Sequence, residues 1–212
     1  MTATTPRRAL IVIDVQNEYV TGKLPIEFPP VRESLANIGR AMDAAHAAGI
    51  PVVVVQQDAP EGSPLFAKGS DGWRLHPAVG GRPHDLHILK TLPSAFTGTG
   101  LAQWLAERGI DTLAVVGYMT HNCGASTIIH ALHDGLAVEF LADASGAIPY
   151  ENGAGRASAE EIQRVFSVVF HSRFAAVQPT GAWIAAVLAE RPTERDSIAA
   201  SSQRARERRS TI

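Results

Sequence analysis

The chain has 212 residues and a formal net charge of −2, a length typical of one globular domain and a charge that favours neither nucleic acid nor an anionic membrane as a partner. Its single cysteine excludes an internal disulfide framework and fits a reducing cytosol. No apolar stretch approaches the length of a bilayer-spanning helix, and the apolar run 9–13 is too short for a signal-peptide core, so we expect a cytoplasmic protein.

The predicted elements alternate between strand and helix along the chain. Continuous apolar runs predict buried strands, and amphipathic periodicity predicts helices. In chain order they are strand 9–13, helix 31–48, strand 51–55, strand 86–90, helix 101–107, strand 112–116, helix 121–133, strand 137–141, helix 158–170, strand 175–177 and helix 181–189. This alternation predicts an α/β fold of three layers (α-β-α), in which helices cover both faces of an open, mostly parallel six-stranded sheet.

The sequence also predicts where two helices begin, and it contains two segments of unusual composition, 57–83 and 191–212. Ser158 with Glu161 forms a capping-box pattern, and Thr180 is well placed to cap the last helix. Residues 57–83 are rich in Gly, Pro and Ser and predict a long loop of the kind that is usually functional or a lid. Residues 1–190 are expected to form a single domain. The arginine-rich segment 191–212 predicts a solvated, flexible tail, with binding to an acidic partner as the alternative.

Cys123 lies where strand 112–116 gives way to helix 121–133. Thr120 is well placed to cap this helix, which puts Cys123 in its first turn. Unpaired N–H groups and the helix dipole lower the pKa of a thiol at that position, and the resulting thiolate is a nucleophile. The alternative is a small buried hydrophobic residue, the commoner fate of a lone intracellular cysteine. A catalytic role therefore needs partners elsewhere in the chain.

Two charged residues follow other predicted strands. Asp14 ends the first apolar run, where a carboxylate is costly unless it has a partner, and Lys90 ends strand 86–90. The alternatives are a loop hydrogen-bonder for Asp14 and a surface lysine with a buried stem for Lys90. Because the carboxyl ends of parallel strands share one edge of the sheet, we expect both side chains to meet Cys123 at a single cleft.

These segments together resemble a known family. The sequences Ile-Val-Ile-Asp-Val-Gln-Asn at 11–17, Leu-Lys at 89–90 and Val-Val-Gly-Tyr-Met-Thr-His-Asn-Cys at 115–123 are similar to the isochorismatase-like cysteine hydrolases. That superfamily includes nicotinamidases, carbamoylsarcosine-type and ureidoacrylate amidohydrolases, and isochorismatases. The resemblance spans about residues 8–190 and implies the same Rossmann-like fold.

The resemblance implies a catalytic triad of Asp14, Lys90 and Cys123, a cis peptide between Tyr118 and Met119, and an oxyanion hole formed by the N–H groups of Met119 and Cys123. The implied reaction cleaves a C–N bond of a small-molecule amide, lactam or ureide through a thioester on Cys123. It implies no metal, no organic cofactor, and a homo-oligomer, either a dimer or a tetramer.

Candidate substrate-binding residues lie near these motifs in the sequence: Gln16, Tyr19, Phe28, Trp73, Tyr118, His121 and Asn122. A loop anchor is the alternative for Trp73, and packing beneath the cis peptide is the alternative for Tyr118 and Asn122. Gly124 stands where the family often has Val, which either enlarges the pocket or shifts the packing of the helix.

Departures from the family pattern limit the range of reactions. Metal-containing nicotinamidases have Asp-x-His after the second strand, whereas this chain has Asp58-Ala59-Pro60, and a metal site at His84, Asp85 and His87 has only weak support. Isochorismatases that cleave a vinyl ether commonly lack the cysteine, so its presence favours an amide-type substrate. Vinyl-ether hydrolysis and a non-catalytic protein with a redox-sensitive cysteine are the alternatives. The absence of Gly-x-Gly-x-x-Gly after strand 9–13 argues against a dinucleotide-binding domain.

Overall fold

A computed structural model describes residues 5–209 of the chain. Its strands and α-helices, in chain order, are β1 (Arg8–Ile13), α1 (Val31–Ala47), β2 (Val52–Gln57), α2 (Pro77–Gly80), β3 (Leu86–Lys90), α3 (Leu101–Glu107), β4 (Thr112–Tyr118), α4 (Ala125–His133), β5 (Ala137–Gly146), β6 (Tyr150–Asn152), β7 (Gly155–Ala157), α5 (Ala159–Val169), β8 (Ala176–Gln178), α6 (Thr180–Leu188) and α7 (Ile198–Arg209).

The main sheet has six parallel strands in the order β3-β2-β1-β4-β5-β8, so the α/β fold predicted from the sequence is confirmed. The chain builds outward from β1 through β2 to β3 and then crosses back to place β4 on the other side of β1. The strand order therefore reverses between β1 and β4. In open α/β sheets, ligands bind in the crevice beyond the carboxyl ends of the strands at such a reversal.

Two apolar layers cover the faces of this sheet. In β1, Leu10 and Val12 face the layer that includes α1 and α6, whereas Ile11 and Ile13 face the layer that includes α3 and α4. Side chains alternate between the faces of a strand, and burial of both faces explains why β1 is a continuous apolar run. No helix within the described residues combines the length and the hydrophobicity needed to cross a bilayer.

Some elements differ from the sequence expectation. Strand β5 continues to Gly146, and a small antiparallel hairpin of β6 and β7 follows it, which the sequence did not predict. Thr180 is the first residue of α6 rather than its cap, and its hydroxyl donates to Asp143 Oδ1 over 2.7 Å.

The segment after residue 190, for which a flexible tail was predicted, includes a helix and contacts with the sheet. Residues 198–209 form the exposed helix α7. Ahead of this helix, Arg191 O accepts a hydrogen bond from Arg8 Nη2 over 2.6 Å, and Thr193 donates to the buried Glu139 over 3.1 Å. These contacts attach the segment to β1 and β5. The domain boundary at residue 190 stays a prediction.

The capping box at the start of α5 is present in the structure. Ser158 Oγ accepts from the backbone N–H of Glu161, and the Glu161 carboxylate accepts from the backbone N–H of Ser158. Replacing Ser158 with Ala removes one acceptor and should lower the free energy of unfolding by about 1 kcal/mol in urea titrations. Ser167→Ala, within the same helix, is the matched control and should cost nothing; equal losses in both variants would contradict the capping role.

Candidate active site

Asp14, Lys90 and Cys123 meet at the carboxyl edge of the sheet. Lys90 Nζ lies 2.7 Å from Asp14 Oδ2 and donates to Cys123 Sγ over 3.3 Å. All three residues are buried, with exposed fractions of 0% for Asp14, 2% for Lys90 and 4% for Cys123. The structure thus places a carboxylate, an ammonium group and a thiol within mutual reach in a site nearly closed to water.

The backbone holds each of these residues at a strand end. Asp14 follows β1 with φ of 50°, a left-handed conformation that Asp tolerates better than most residues, and its N–H donates to Val55 O over 2.8 Å. Lys90 is the last residue of β3 and pairs in register with Gln57 of β2. Strained backbone that surrounding structure holds in place is a common feature of functional sites.

Gln57 is a partner that the sequence analysis missed. Its Oε1 accepts a hydrogen bond from Lys90 Nζ over 2.7 Å. Lys90 Nζ therefore has three partners, Asp14, Gln57 and Cys123, which match the three hydrogens of an ammonium group. The signal was available, because Gln57 stands two residues after the second apolar run, near the same edge of the sheet as Asp14.

Two of the predicted substrate-binding residues, Gln16 and Trp73, make hydrogen bonds with residues of the loop 57–83. Gln16 Nε2 donates to Gln57 O and Trp73 O over 3.0 and 2.8 Å, and Gln16 Oε1 accepts from Gln57 N over 3.0 Å. Trp73 Nε1 donates to Asp58 Oδ1 over 2.7 Å. Both amide hydrogens of the fully buried Gln16 are therefore used by backbone carbonyls, and Trp73 is anchored within the loop, as its alternative interpretation stated.

Tyr118 packs on the face of the sheet opposite to Cys123. Its ring is fully buried in the layer that includes α1, and its hydroxyl is 2.7 Å from Ser34 Oγ. Cys123 belongs to the layer on the opposite face. Strand alternation in β4 directs residues 114, 116 and 118 toward α1, which agrees with the alternative of packing for Tyr118. Its contact with substrate stays a prediction.

Tyr19 and Phe28 occupy different surroundings. Tyr19 is buried against Phe66 and Tyr118, with ring centroids 5.3 and 5.7 Å away. Burial, followed by the charges of Asp14 and Cys123, raises the pKa of Tyr19 well above its usual value. Phe28 is half-buried, forms a β-bridge with Ala147 and precedes a cis proline.

His121 contacts a second residue that the sequence analysis missed. Its Nε2 lies 3.0 Å from the hydroxyl of Tyr150, which the β6–β7 hairpin carries. Burial lowers the pKa of His121 to about 4, so the imidazole is neutral at pH 7. Asn122, in contrast, is exposed. No periodicity or motif in the sequence distinguished Tyr150, because its position depends on a hairpin that packs only in the folded chain.

A π-helical turn, Thr120–Gly124, carries Cys123 into helix α4. The peptide bond between Tyr118 and Met119 is cis, and Met119 O accepts hydrogen bonds from the N–H groups of Asn122 and Gly124 over 3.1 and 3.0 Å. Thr120 makes no capping hydrogen bond, and its buried hydroxyl has no partner among residues 5–209. The predicted cap at Thr120 is therefore wrong.

Gly124 packs closely against this turn. A Cβ added at Gly124 would lie 3.1 Å from Met119 O. Val at this position would therefore press against the carbonyl of Met119, and the glycine removes that contact.

The surroundings of Cys123 also reverse the expected thiol acidity. Burial, followed by the charge of Asp14, raises the pKa of Cys123 to about 12, and the opposing charge of Lys90 does not compensate. The lowered pKa expected from the start of a helix is therefore wrong. The sulfur holds its proton at neutral pH, and an adjacent base must remove it before attack.

This raised thiol pKa has a measurable consequence. Only the thiolate reacts with iodoacetamide, so the rate of alkylation of Cys123 should keep rising from pH 8 to pH 11, whereas a free thiol levels off near its own pKa of about 8.5. The chain has one cysteine, so mass spectrometry reads this reaction directly and free cysteine serves as the control. A plateau below pH 9 would contradict the raised pKa.

The residues weighed as metal ligands are engaged in other contacts. Asp85 Oδ2 accepts from Val52 N over 2.8 Å, and His87 Nε2 lies 2.8 Å from Gln56 Oε1. Within residues 5–209, no group of three or more His, Cys, Asp or Glu side chains has the geometry to hold a metal ion.

Comparison with known proteins places this fold and site in context. The chain is 70% identical to a protein of Burkholderia xenovorans LB400 whose crystal structure was described as that of a candidate isochorismatase; the match covers 98% of this chain and 100% of that one, with a TM-score of 0.97. It is 34% identical to streptothricin hydrolase of Streptomyces noursei, over 67% of this chain and 55% of that protein. It is 31% identical to the ureidoacrylate amidohydrolase of Methylobacterium radiotolerans, over 64% of this chain and 66% of that protein.

The isochorismatase domain model matches residues 8–173, which include β1, β3, β4 and the buried Asp14, Lys90 and Cys123. More than half of the chain lies within this match, so the chain belongs to the isochorismatase family of hydrolases.

Proposed function

We propose that this isochorismatase-family hydrolase cleaves the C–N bond of a small amide, lactam or ureide through a thioester on Cys123. One observation carries the proposal: Lys90 Nζ lies within hydrogen-bonding reach of both Asp14 Oδ2, at 2.7 Å, and Cys123 Sγ, at 3.3 Å. A thiol, a base and a cation that stabilises either anion are the parts that nucleophilic catalysis by cysteine requires.

Acylation follows from this arrangement. Asp14 accepts the thiol proton as Cys123 Sγ attacks the carbonyl carbon, and the ammonium of Lys90 stabilises the negative charge that moves between them. The tetrahedral oxyanion is held by the N–H groups of Met119 and Cys123, and loss of one such donor typically costs about 10²–10³ in rate. As the C–N bond breaks, Asp14 returns the proton to the departing amine.

Deacylation uses the same residues in reverse. Asp14 takes a proton from water, the hydroxide attacks the thioester carbon, and the C–S bond breaks to release the acid. Asp14 then returns that proton to the Cys123 sulfur. Burial raises the pKa of Asp14 against the opposing charge of Lys90 and the hydrogen bonds from Cys123 and the Gln57 backbone, and a raised carboxyl pKa suits a group that both accepts and donates protons near neutral pH.

Relatives support the reaction class. Two of the similar proteins are named for hydrolysis of streptothricin and of ureidoacrylate. The cytoplasmic location expected from the composition and the homo-oligomeric state expected from the resemblance stay predictions.

The proposal is tested by intact-mass spectrometry during turnover of a panel of carboxamides, lactams and ureides. We expect a transient adduct of the acyl mass on the wild-type chain, and none on Cys123→Ser, together with release of ammonia or amine. Substrate turnover at the wild-type rate by Cys123→Ala would refute the thioester pathway. Pyruvate release from isochorismate without an adduct would instead favour vinyl-ether hydrolysis.

Gln57 provides a prediction about how Lys90 is positioned. Replacing Gln57 with Leu removes one of the acceptors around the ammonium, so kcat should fall by about 10–100-fold, the scale of an orienting partner, while KM changes little. Gln57→Glu keeps an acceptor oxygen and should lose less activity than the Leu variant. Gln103→Leu, on the exposed face of α3, is the control. A Gln57→Leu enzyme within twofold of wild type would contradict this role.

A further inference from the structure

A neutral polar wall borders the nucleophile, and we define it as His121, Tyr150 and Met119. The Tyr150 hydroxyl lies 3.0 Å from His121 Nε2 and 3.9 Å from Met119 Sδ, and the His121 and Tyr150 rings meet edge to face with centroids 5.1 Å apart. Met119 directly precedes the turn Thr120–Gly124 and His121 lies within it, so the Tyr150 hydroxyl contacts the turn that carries Cys123. Tyr150 is 42% exposed, whereas Cys123 is buried.

The charged residues on the hairpin that carries Tyr150 pair with each other. Glu151 and Arg156, which flank Tyr150 on the hairpin, pair with each other over 3.9 Å and are both exposed. Burial alone accounts for the lowered pKa of His121, with no contribution from a neighbouring charge. The charges that act most strongly on Cys123 are those of Asp14 and Lys90, which form an ion pair with each other.

The wall still offers one hydrogen bond to a ligand. A thioether sulfur is a weak acceptor, so the contact between the Tyr150 hydroxyl and Met119 Sδ is easily given up. The hydroxyl can accept from His121 Nε2–H and donate its own hydrogen to a stronger acceptor, such as an amide oxygen.

We propose that the Cys123 site takes an uncharged amide-type substrate, and that Tyr150 donates a hydrogen bond to it. This inference rests on the proposed hydrolase function and narrows its substrate class. A substrate carboxylate placed against the wall would lose its hydration without gaining a cation, because Lys90 is already paired with Asp14. The wall itself contributes no carboxylate to a substrate cation, and Asp14 is already paired with Lys90.

Charge selection is tested first without turnover. Iodoacetamide and iodoacetate are nearly equal in size and differ in charge, and Cys123 is the only cysteine that either can modify. The ratio of the iodoacetamide rate to the iodoacetate rate, measured at pH 9 on the full chain, should exceed the ratio for free cysteine by at least tenfold. An equal or smaller ratio, or no reaction with iodoacetamide, would overturn the inference.

Turnover then tests Tyr150. Butanamide should be hydrolysed with at least tenfold higher kcat/KM than succinamate, its carboxylate-bearing counterpart, and Tyr150→Phe should raise KM for butanamide about tenfold with kcat within threefold. Glu151→Gln is the matched control on the same hairpin. Equal use of both substrates would overturn the neutral-substrate inference while leaving the hydrolase proposal intact. Absence of any acyl adduct on Cys123 would count against the hydrolase proposal, and the alkylation ratio would still decide the charge preference.

Discussion

Asp14→Asn is expected to lower turnover by about 10⁴-fold and, at the same time, to make Cys123 easier to alkylate. The carboxamide cannot accept the thiol proton, so attack on the substrate loses its base. The charge of Asp14 and its hydrogen bond with the thiol are among the causes that raise the pKa of Cys123, whereas Lys90 lowers it. Removing the carboxylate should therefore lower the thiol pKa and increase the thiolate fraction at pH 8.5.

Slower turnover together with faster alkylation of Cys123 would distinguish a proton shuttle at Asp14 from a structural role. A merely distorted site would lose turnover without a faster reaction with iodoacetamide. Asp111→Asn is the matched control: Asp111 pairs with Arg7 at the opposite end of the strands, and its loss should change neither measurement. Turnover within tenfold of wild type in a folded Asp14→Asn chain would contradict the mechanism.

The substitution of Asp14 also leaves the buried ammonium group of Lys90 without its carboxylate partner. Breaking a buried ion pair by removing one partner typically costs about 3–5 kcal/mol, so the free energy of unfolding should fall. Asn adopts the positive φ of position 14 readily, so the backbone itself adds little to this cost. If Asp14→Asn fails to fold, the double variant Asp14→Asn/Lys90→Met leaves no unpaired charge. It should fold and still lack turnover.

The sequence predicted most of the fold because the central strands are buried on both faces. Strands β1, β2 and β4 are therefore continuous apolar runs, which need no knowledge of their neighbours to recognise. The end of β5 was missed because residues 142–146 are Ala, Asp, Ser and Gly. These residues form a strand because Ser145 and Gly146 pair with Gly117 and Tyr118 of β4, a tertiary contact that local composition does not contain.

The sequence likewise predicted some features of the candidate site and missed others. Asp14, Lys90 and Cys123 were found because the ends of parallel strands share an edge, so position along the chain indicates proximity. Side-chain direction was harder to predict. The sequence did not indicate that Tyr118 faces α1 or that Tyr150 reaches His121 from a hairpin. The prediction of a lowered pKa for the Cys123 thiol was wrong because burial and the charge of Asp14 outweigh the favourable position at the start of a helix.

Gly117→Ala should unfold or severely destabilise the protein. Gly117 pairs with Ile13 across the β1–β4 ladder and has φ of 105°, a conformation that residues with a side chain rarely adopt. A Cβ at Gly117 would lie 2.1 Å from Ile13 O and 2.7 Å from Ile13 N. Neither backbone atom can move without separating the two central strands. We expect a loss of more than about 4 kcal/mol in the free energy of unfolding, or no soluble protein at all.

Gly135→Ala isolates the steric part of this effect. Gly135 also has positive φ, at 84°, but a Cβ there would meet nothing within 4 Å. That variant should lose only the conformational cost, about 1–2 kcal/mol, in the same urea titration. Similar losses in the two variants would contradict the steric argument. The expected difference has a direct bearing on the site, because Gly117 pairs with Ile13 one residue before Asp14 at the end of β1 and two residues before Met119 at the end of β4. The close approach that excludes a methyl group at Gly117 is therefore also what brings Asp14 to the thiol of Cys123.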